Sequence, residues 1–472
     1  MGYPKPETHP IRRVAARPAA ALLAAVLTLA LTAAWTVPAL ADVRKADLVM
    51  GETVEARGLT VAQCPSVAAE YVYVVDEDGQ VYFDRNAEVE TQIASITKIM
   101  TAIVALEQGS LDDVITVSQT AAKIGESSAE LQAGDKLTLA EALKALMIPS
   151  GNDAAQAIAE FYGGRMLDSN GGDATNEYAC NQAFVDAMNA KAQELGMTSS
   201  EFSNAHGLDF DEYTGSLHST AKDVATMVAA AMQNDTFREV VSMGETTIKI
   251  TRDGSPAGIR LEPTDELLGN YEGLCGVKTG YTEKAGNCFA AACNRGDRDV
   301  YCIVLKSTDE WQRFTDTSTL LDWVYGHTVN YALANSPETM QVNQNGQTLE
   351  VPVMARVGYP GWTDATFAVG LSNSSATVPL FDLNGNVSQE IQMKDLSGDI
   401  RVGDVVGKLV FSQHNQVVAE ADLVALEEQR GPNPFEAIGV FFDRLLFGKT
   451  QAPDTLINQT PLLNDKTTAS SL

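Results

Sequence analysis

The apolar runs 71–75 and 81–83 flank Asp78-Gly79, a dipeptide suited to a two-residue turn, so residues 66–84 predict a β-hairpin. Residues 95–107 then place Ile99, Met100, Ile103, Val104 and Leu106 at helical spacing and stop at Gly109. A second helix is expected over 138–148, ended by Pro149 because a residue preceding proline avoids α dihedrals. A third is expected from Asn152 through Ala154 to Phe161, followed by a surface loop over the Gly/Asn-rich stretch 163–176 and helices at 181–195 and 219–233. From Gly273 the pattern changes to strands, GLCGVKTGYT, NCFAAACN and DVYCIVLKS, with a turn at Arg295-Gly296-Asp297. Two early strands, intervening helices and a late β-meander predict one α+β domain over 55–330, with helices packed on an antiparallel sheet. Residues 341–428 carry short alternating runs and turn signals such as Asn345-Gly346, the pattern of a small all-β domain.

Gly431-Pro432-Asn433-Pro434 reads as a hinge into a C-terminal amphipathic helix over 433–448. Phe435, Ile438, Phe441, Phe442, Leu445 and Leu446 project to one side, with Glu436, Asp443 and Arg444 elsewhere. This face could lie on a membrane or dock on the protein itself; it is not basic, so apolar burial alone would hold it on a bilayer. The tail 449–472 is expected to be mobile.

At the other end, Arg12, Arg13 and Arg17 precede an apolar run over 19–35, and Ala39-Leu40-Ala41 follows Pro38. Residues 1–41 therefore read as a cleaved signal peptide, with a retained anchor as the alternative, and the protein as exported. With Lys+Arg at 33 and Asp+Glu at 62 the net charge is −29, which repels nucleic acid rather than attracting it. The five histidines are scattered and no HExxH or CxxC pair occurs, so no metal site is expected. Six cysteines in an exported chain could pair or remain as buried thiols.

Three short motifs carry the candidate chemistry: Ser95-Ile96-Thr97-Lys98 at a helix start, Ser150-Gly151-Asn152 between two helices, and Lys278-Thr279-Gly280 on the first late strand. Residues three apart on a helix share a face, so Lys98 can reach the Ser95 hydroxyl. A serine hydroxyl is a weak nucleophile until a base takes its proton. Lysine can act as that base only when burial or a neighbouring cation keeps it neutral, and Lys278 supplies a candidate cation. Two lysines in one cleft of an acidic chain suit a substrate bearing a carboxylate.

With these motifs the chain resembles serine-type D-alanyl-D-alanine carboxypeptidases, the low-molecular-weight penicillin-binding proteins. The resemblance covers about residues 65–325 and includes IASITKIMTAIVALE, SSAELQAGDKLTLAEALKALMIPSGNDAAQAIAE, SNAHGLD, HSTAKDVA and GVKTGYTEKAGNCFAAA. It implies a β-lactamase/DD-peptidase-like fold, Ser95 as acylated nucleophile, Lys98 as general base and Ser150 as proton relay to the leaving D-alanine. It further implies that Asn152 orients Lys98 and binds the substrate backbone, that Lys278 and Thr279 hold the terminal carboxylate, and that Gly280 lets the peptide approach the strand. The N–H groups of Ser95 and Tyr281 would form the oxyanion hole. The implied substrate is a peptidoglycan stem peptide ending in D-Ala-D-Ala, with β-lactams as inhibitors, no cofactor and an extracytoplasmic location. Gly151 stands where β-lactamases tend to carry Asp, and no E-x-x-L-N segment follows, so trapping of penicillin is expected over its rapid hydrolysis. D,D-endopeptidase or β-lactamase action by the same chemistry, and a non-catalytic wall-binding role, are the alternatives. His206 and His218 are expected to be structural, and Trp311, Trp323 and Phe314 to be core residues.

Overall fold

The computed structural model describes residues 47–463, apart from 297, 345 and 346. The expected signal peptide, the Asn345-Gly346 turn, Asp297 and the last nine residues lie outside the described residues. Seven antiparallel strands form the main sheet: β1 (Leu48–Val49), β2 (Glu52–Thr53), β3 (Tyr71–Asp76), β4 (Val81–Arg85), β5 (Leu274–Thr282), β6 (Gly286–Asn294) and β7 (Asp299–Ser307). Their order is β2-β1-β4-β3-β7-β6-β5, which leaves β5 at one edge. The late meander thus joins the early hairpin through β3 and β7, with Val74 opposite Cys302.

The central strands read as continuous apolar runs because both faces are covered. Ala290, Ala292, Tyr301, Ile303 and Leu305 enter a core shared with the helices of residues 98–241. Their neighbours Phe289, Ala291, Val300, Cys302 and Val304 pack on the opposite side, together with Phe314, Leu320, Leu321 and Val324. The first group of helices is α1 (Lys98–Gln108), α2 (Leu139–Met147), α3 (Asn152–Ser169), α4 (Glu177–Glu194), α5 (Ala221–Met232) and α6 (Asp235–Val241). The far face is covered by α7 (Gln312–Gly326), which the sequence reading omitted. Asp309 caps α7 by accepting from Trp311 N (3.0 Å) and Gln312 N (2.8 Å). Inside it, buried Asp316 accepts from the N–H groups of Ala68 and Ala69 and from the Ser307 hydroxyl.

Several expectations are corrected. Residues 163–169 are helix rather than loop: α3 continues through Gly163-Gly164, where a Cβ on Gly163 would stand 1.9 Å from the Cys180 carbonyl oxygen. Those glycines let α3 and α4 touch. Pro149 does end α2, but Ile148 keeps α dihedrals (φ −70°, ψ −63°). The stop comes from the missing proline N–H, since the Ala145 carbonyl accepts from Gly151 N instead (3.0 Å). A further four-stranded sheet went unpredicted: Val114–Thr116, Lys136–Thr138, Thr246–Arg252 and Ser255–Leu261. Trp311 is 61% exposed, because it precedes α7 at its solvent end, whereas Phe314 is buried and Trp323 half-buried. All six cysteines are free thiols.

The C-terminal part is all-β until the last helix. Its six-stranded sheet runs Val387–Met393, Val405–Gln413, Gln416–Ala425, Thr366–Leu371, Ala355–Gly358 and Thr455–Leu456. The expectation of a wholly mobile tail is therefore corrected. Thr455–Leu456 completes the sheet edge, and buried Asn458 bonds Leu333 O, Gln389 Oε1 and Asn335 N. Between sheet and tail stands α8 (Pro434–Phe447), capped by Asn433 and Glu436 and ended by Gly448 at φ +60°. None of its residues is buried, and the six residues of the expected apolar face are 50–86% exposed. Among the described residues, no helix is long and apolar enough to cross a membrane.

Candidate active site

A tight helical turn, Ala94–Thr97, leads into α1 and begins with Ala94 at φ +48°. This turn brings the Lys98 amine to 2.8 Å from Ser95 Oγ. Lys98 is fully buried, and its Nζ also donates to Asn152 Oδ1 (2.7 Å) and to the His206 carbonyl (2.8 Å). Burial, then the charge of Lys278, hold its ionisation well below the ordinary lysine range, while Asp153 pulls weakly the other way.

Asn152 opens α3. Its Nδ2 donates to Gly125 O (3.0 Å) and its backbone N to Ser127 O (2.8 Å), so Oδ1 is left for Lys98. Ser150 and Asn152 line the cleft, and Ser150 is held at φ +65°, a conformation that non-glycine residues keep only when the surroundings enforce it. Asp153, which sequence reasoning missed, holds the loop that carries Glu126 and Ser127 of the lining. Its buried carboxylate accepts from the N–H groups of Ala129 and Leu131 and from the Ser128 hydroxyl, fixing the opposite lip.

The third motif lies on edge strand β5. Thr279, Gly280 and Tyr281 line the cleft, and Thr279 Oγ1 shares a 2.6 Å hydrogen bond with Thr264 Oγ1. A Cβ on Gly280 would stand 3.0 Å from Ile93 O and 3.2 Å from Ser95 N, so this glycine lets the strand run against the serine turn. Gly207, at φ +94°, plays the same part from the other side; a Cβ there would meet Ala94 O at 2.0 Å.

Lys278 is placed differently from the sequence expectation. Its buried amine donates to Thr279 O (3.0 Å) and does not line the cleft. Burial, then Arg313, lower its ionisation to about 7. Two cations do line the cleft: Arg313, beside Thr279 and Thr264, which no motif announced, and Lys284, whose Nζ donates to Asp209 O. Arg313 Nη1 donates to Gly280 O (3.3 Å), while its Nε is buried without a partner. Ser95, Ser150, Asn152, Thr279, Gly280, Tyr281 and Arg313 thus bound one cavity of about 620 Å³. Among the described residues, no cluster of His, Cys, Asp or Glu could hold a metal ion. His206 is buried, with its ring edge-on to Tyr213, and His218 bonds only its own turn and acidic neighbours, so neither forms a Ser-His-Asp arrangement.

Helices on both faces of an antiparallel sheet, with a serine and a buried lysine three residues on and a glycine-bearing edge strand opposite, define the active-site-serine class that contains DD-peptidases and β-lactamases. Within that class the chain belongs to the D-alanyl-D-alanine carboxypeptidase family, whose sequence profile matches residues 59–309. The D-alanyl-D-alanine carboxypeptidase DacF of Bacillus subtilis is 28% identical over 379 residues, 79% of this chain and 88% of that protein. The D-alanyl-D-alanine carboxypeptidase of Streptomyces K15 is 32% identical over 285 residues, 58% of this chain and 94% of its own. A D-alanyl-D-alanine endopeptidase of Pseudomonas aeruginosa is 30% identical over 57% of this chain and 80% of its own. The crystal structure of the Streptomyces K15 DD-transpeptidase superposes with a TM-score of 0.52, covering 56% of this chain and 98% of that one. The chain is accordingly a serine-type D,D-carboxypeptidase, a hydrolase of β-lactamase-like fold.

Proposed function

We propose that the protein removes the terminal D-alanine from peptidoglycan stem peptides ending in D-Ala-D-Ala, through an acyl-enzyme on Ser95. The observation that carries this reading is the trio of oxygens around Lys98. A neutral amine has two hydrogens and one lone pair. With the hydrogens directed to Asn152 Oδ1 and His206 O, the lone pair faces Ser95 Oγ at 2.8 Å and takes its proton.

Ser95 Oγ then attacks the carbonyl carbon of the penultimate D-alanine. The oxyanion is met by the N–H groups of Ser95, in the first turn of its helix, and of Tyr281 on the adjacent strand. As the tetrahedral carbon collapses, the C–N bond breaks and the amine leaves as D-alanine with the proton held by Lys98, relayed through Ser150. Water, deprotonated by the same lysine, hydrolyses the ester. Thr279 and Thr264 hold the terminal carboxylate, with Arg313 as its counter-charge and Lys278 reinforcing the field from inside the wall. A β-lactam enters the same path at Ser95 and stays bound as the acyl ester. The test is release of D-alanine from a pentapeptide, together with a penicillin adduct mapped to Ser95. Activity that survives Ser95→Ala refutes the mechanism, and cleavage of cross-links without D-alanine release points to an endopeptidase.

The expected signal peptide and the exposed face of α8 bear on where this happens. We infer an extracytoplasmic enzyme whose α8 rests on the membrane surface through Phe435, Ile438, Phe441, Phe442, Leu445 and Leu446. Support comes from their 50–86% exposure on a capped helix tethered at both ends. Because Thr455–Leu456 and Asn458 anchor the tail, the test is Phe441→Asp with Leu445→Asp rather than truncation. Unchanged binding to phospholipid vesicles would refute the contact.

A further inference from the structure

A second cavity, of about 470 Å³, is walled by α4 and the segment 203–215. One stretch of chain serves both cavities: Leu208 and Asp209 line the catalytic cleft, whereas Ser203, Asn204 and His206 line the second. The His206 side chain is 99% buried, and its Nδ1 accepts the Leu208 N–H (3.2 Å). Burial and then Lys98 push its ionisation down to about 3, so the ring is neutral and carries its hydrogen on Nε2. That N–H finds no hydrogen-bond partner among the described residues, and the Ser203 hydroxyl in the same wall is a buried group without one. Buried polar groups are rarely left unpaired, so the Ser203 hydroxyl, with the unbonded His206 N–H in the same wall, marks where a ligand completes the bonding.

The rest of the lining narrows the ligand's chemistry. No lysine or arginine lines the cavity, and its one carboxylate, Glu177, accepts the Thr120 hydroxyl (2.6 Å). An anion would therefore be repelled, and a purely apolar ligand would leave Nε2–H and Oγ unpaired. Asn181 and Gln182 present side-chain amides, and Tyr178, 78% exposed, offers a ring face at the rim. Amides, hydroxyls and a tyrosine face fit a neutral ligand rich in hydroxyl and carbonyl oxygens.

We propose that this cavity binds an uncharged saccharide bearing hydroxyl and acetamido groups, the chemistry of the glycan strands to which peptidoglycan stem peptides are attached. The choice of glycan rests on the functional reading above. Bound there, a glycan holds the enzyme on its polymer and braces the backbone whose His206 carbonyl positions Lys98.

The test is calorimetric titration of the full chain with an N-acetylglucosamine oligomer. Saturable binding at millimolar concentration is expected, weakened about fivefold by Ser203→Ala, the scale of one hydrogen bond, and at least about tenfold by Asn181→Trp, which fills the cavity. Labelling of Ser95 by a fluorescent penicillin shows that each variant is folded, and the penicillin-acylated protein should bind the oligomer undiminished. Absence of binding, equal binding by both variants, or loss of binding on acylation would overturn the assignment. If D-alanine release is intact while the oligomer does not bind, this inference alone fails; if the oligomer binds and no D-alanine is released, the functional reading alone fails.

Discussion

Replacing Asn152 by Asp changes one atom in the tightest part of the site. In the native protein Asn152 Oδ1 lies 2.7 Å from Lys98 Nζ as a neutral acceptor. A carboxylate there would add a Coulomb attraction of about 6 kcal/mol at that separation, taking an effective dielectric of ~20. The buried carboxylate loses hydration, and its second oxygen would face the Gly125 carbonyl that Nδ2 now satisfies at 3.0 Å, so much of this attraction is offset. If only a quarter survives, the charged-to-neutral ratio of Lys98 still rises about tenfold, and each further 1.4 kcal/mol adds another factor of ~10. Burial and Lys278 keep the native amine free at lower pH, and the new carboxylate opposes both. The sign follows: the acid limb of the rate profile, where Lys98 becomes protonated, moves to higher pH. Acylation of Ser95 by a fluorescent penicillin, timed across the pH range, measures it. Asn152→Ala removes an acceptor that favours the ammonium form, so its acid limb should move the opposite way, whatever its absolute rate. An Asn152→Asp profile that is merely lowered, with its acid limb unmoved, would refute the assignment of Lys98 as base.

Three further outcomes are expected. Arg313→Met should raise KM about 10–100-fold for a peptide with a free C-terminal carboxylate, the scale of a charge-assisted hydrogen bond, and far less for the amidated peptide; equal effects on both would remove Arg313 from carboxylate recognition. Gly163→Ala should destabilise the fold by at least about 2 kcal/mol in urea unfolding, because its methyl would meet the Cys180 carbonyl, whereas Gly164→Ala, with 3.5 Å to Cys180 Sγ, should be tolerated. The folded-state pKa of His206, about 3, lies below its unfolded value of about 6.5, so the unfolded state binds the extra proton in that interval. His206 therefore contributes stability in full above pH ~6.5 that is lost as pH falls toward ~3, and His206→Gln should flatten that slope relative to the native protein; an identical slope would exclude it.

The parts of the molecule legible in the sequence are those where one local cause decides the outcome. Asp78-Gly79 marks the hairpin, although its loop is the three residues 77–79 closed by Asp76 N to Gln80 O rather than a two-residue turn, and the spacing of Ser95 and Lys98 fixes their contact, because neither depends on distant partners. The errors arise where tertiary packing overrides a local signal. Gly163-Gly164 reads as a helix breaker until α4 is known to pack against it. Gln312–Gly326 mixes polar residues with its apolar ones because Asp316 is buried to bind the backbone at Ala68 and Ala69. The hairpin of Thr246–Arg252 and Ser255–Leu261 did carry a signal, Asp253-Gly254, whose residues both adopt positive φ (51° and 76°). Within the site, residues of all three motifs are brought together as the resemblance implied. Asp153 and Arg313 were invisible because their partners, the 128–131 loop and the Gly280 carbonyl, are remote in sequence. Lys278 was read as a cation in the cleft that holds the substrate carboxylate and is instead buried behind the lining, a distinction set by the depth of its strand.

Activation of Ser95 turns on the protonation of one amine, which nitrogen NMR of lysine-labelled protein reads directly. Lys98, identified by the signal missing in Lys98→Arg and told apart from Lys278 by the corresponding Lys278→Arg spectrum, should titrate well below the surface lysines, with its neutral form lost when Asn152 becomes aspartate. A Lys98 ammonium that titrates together with the exposed lysines would contradict the proposed activation of Ser95.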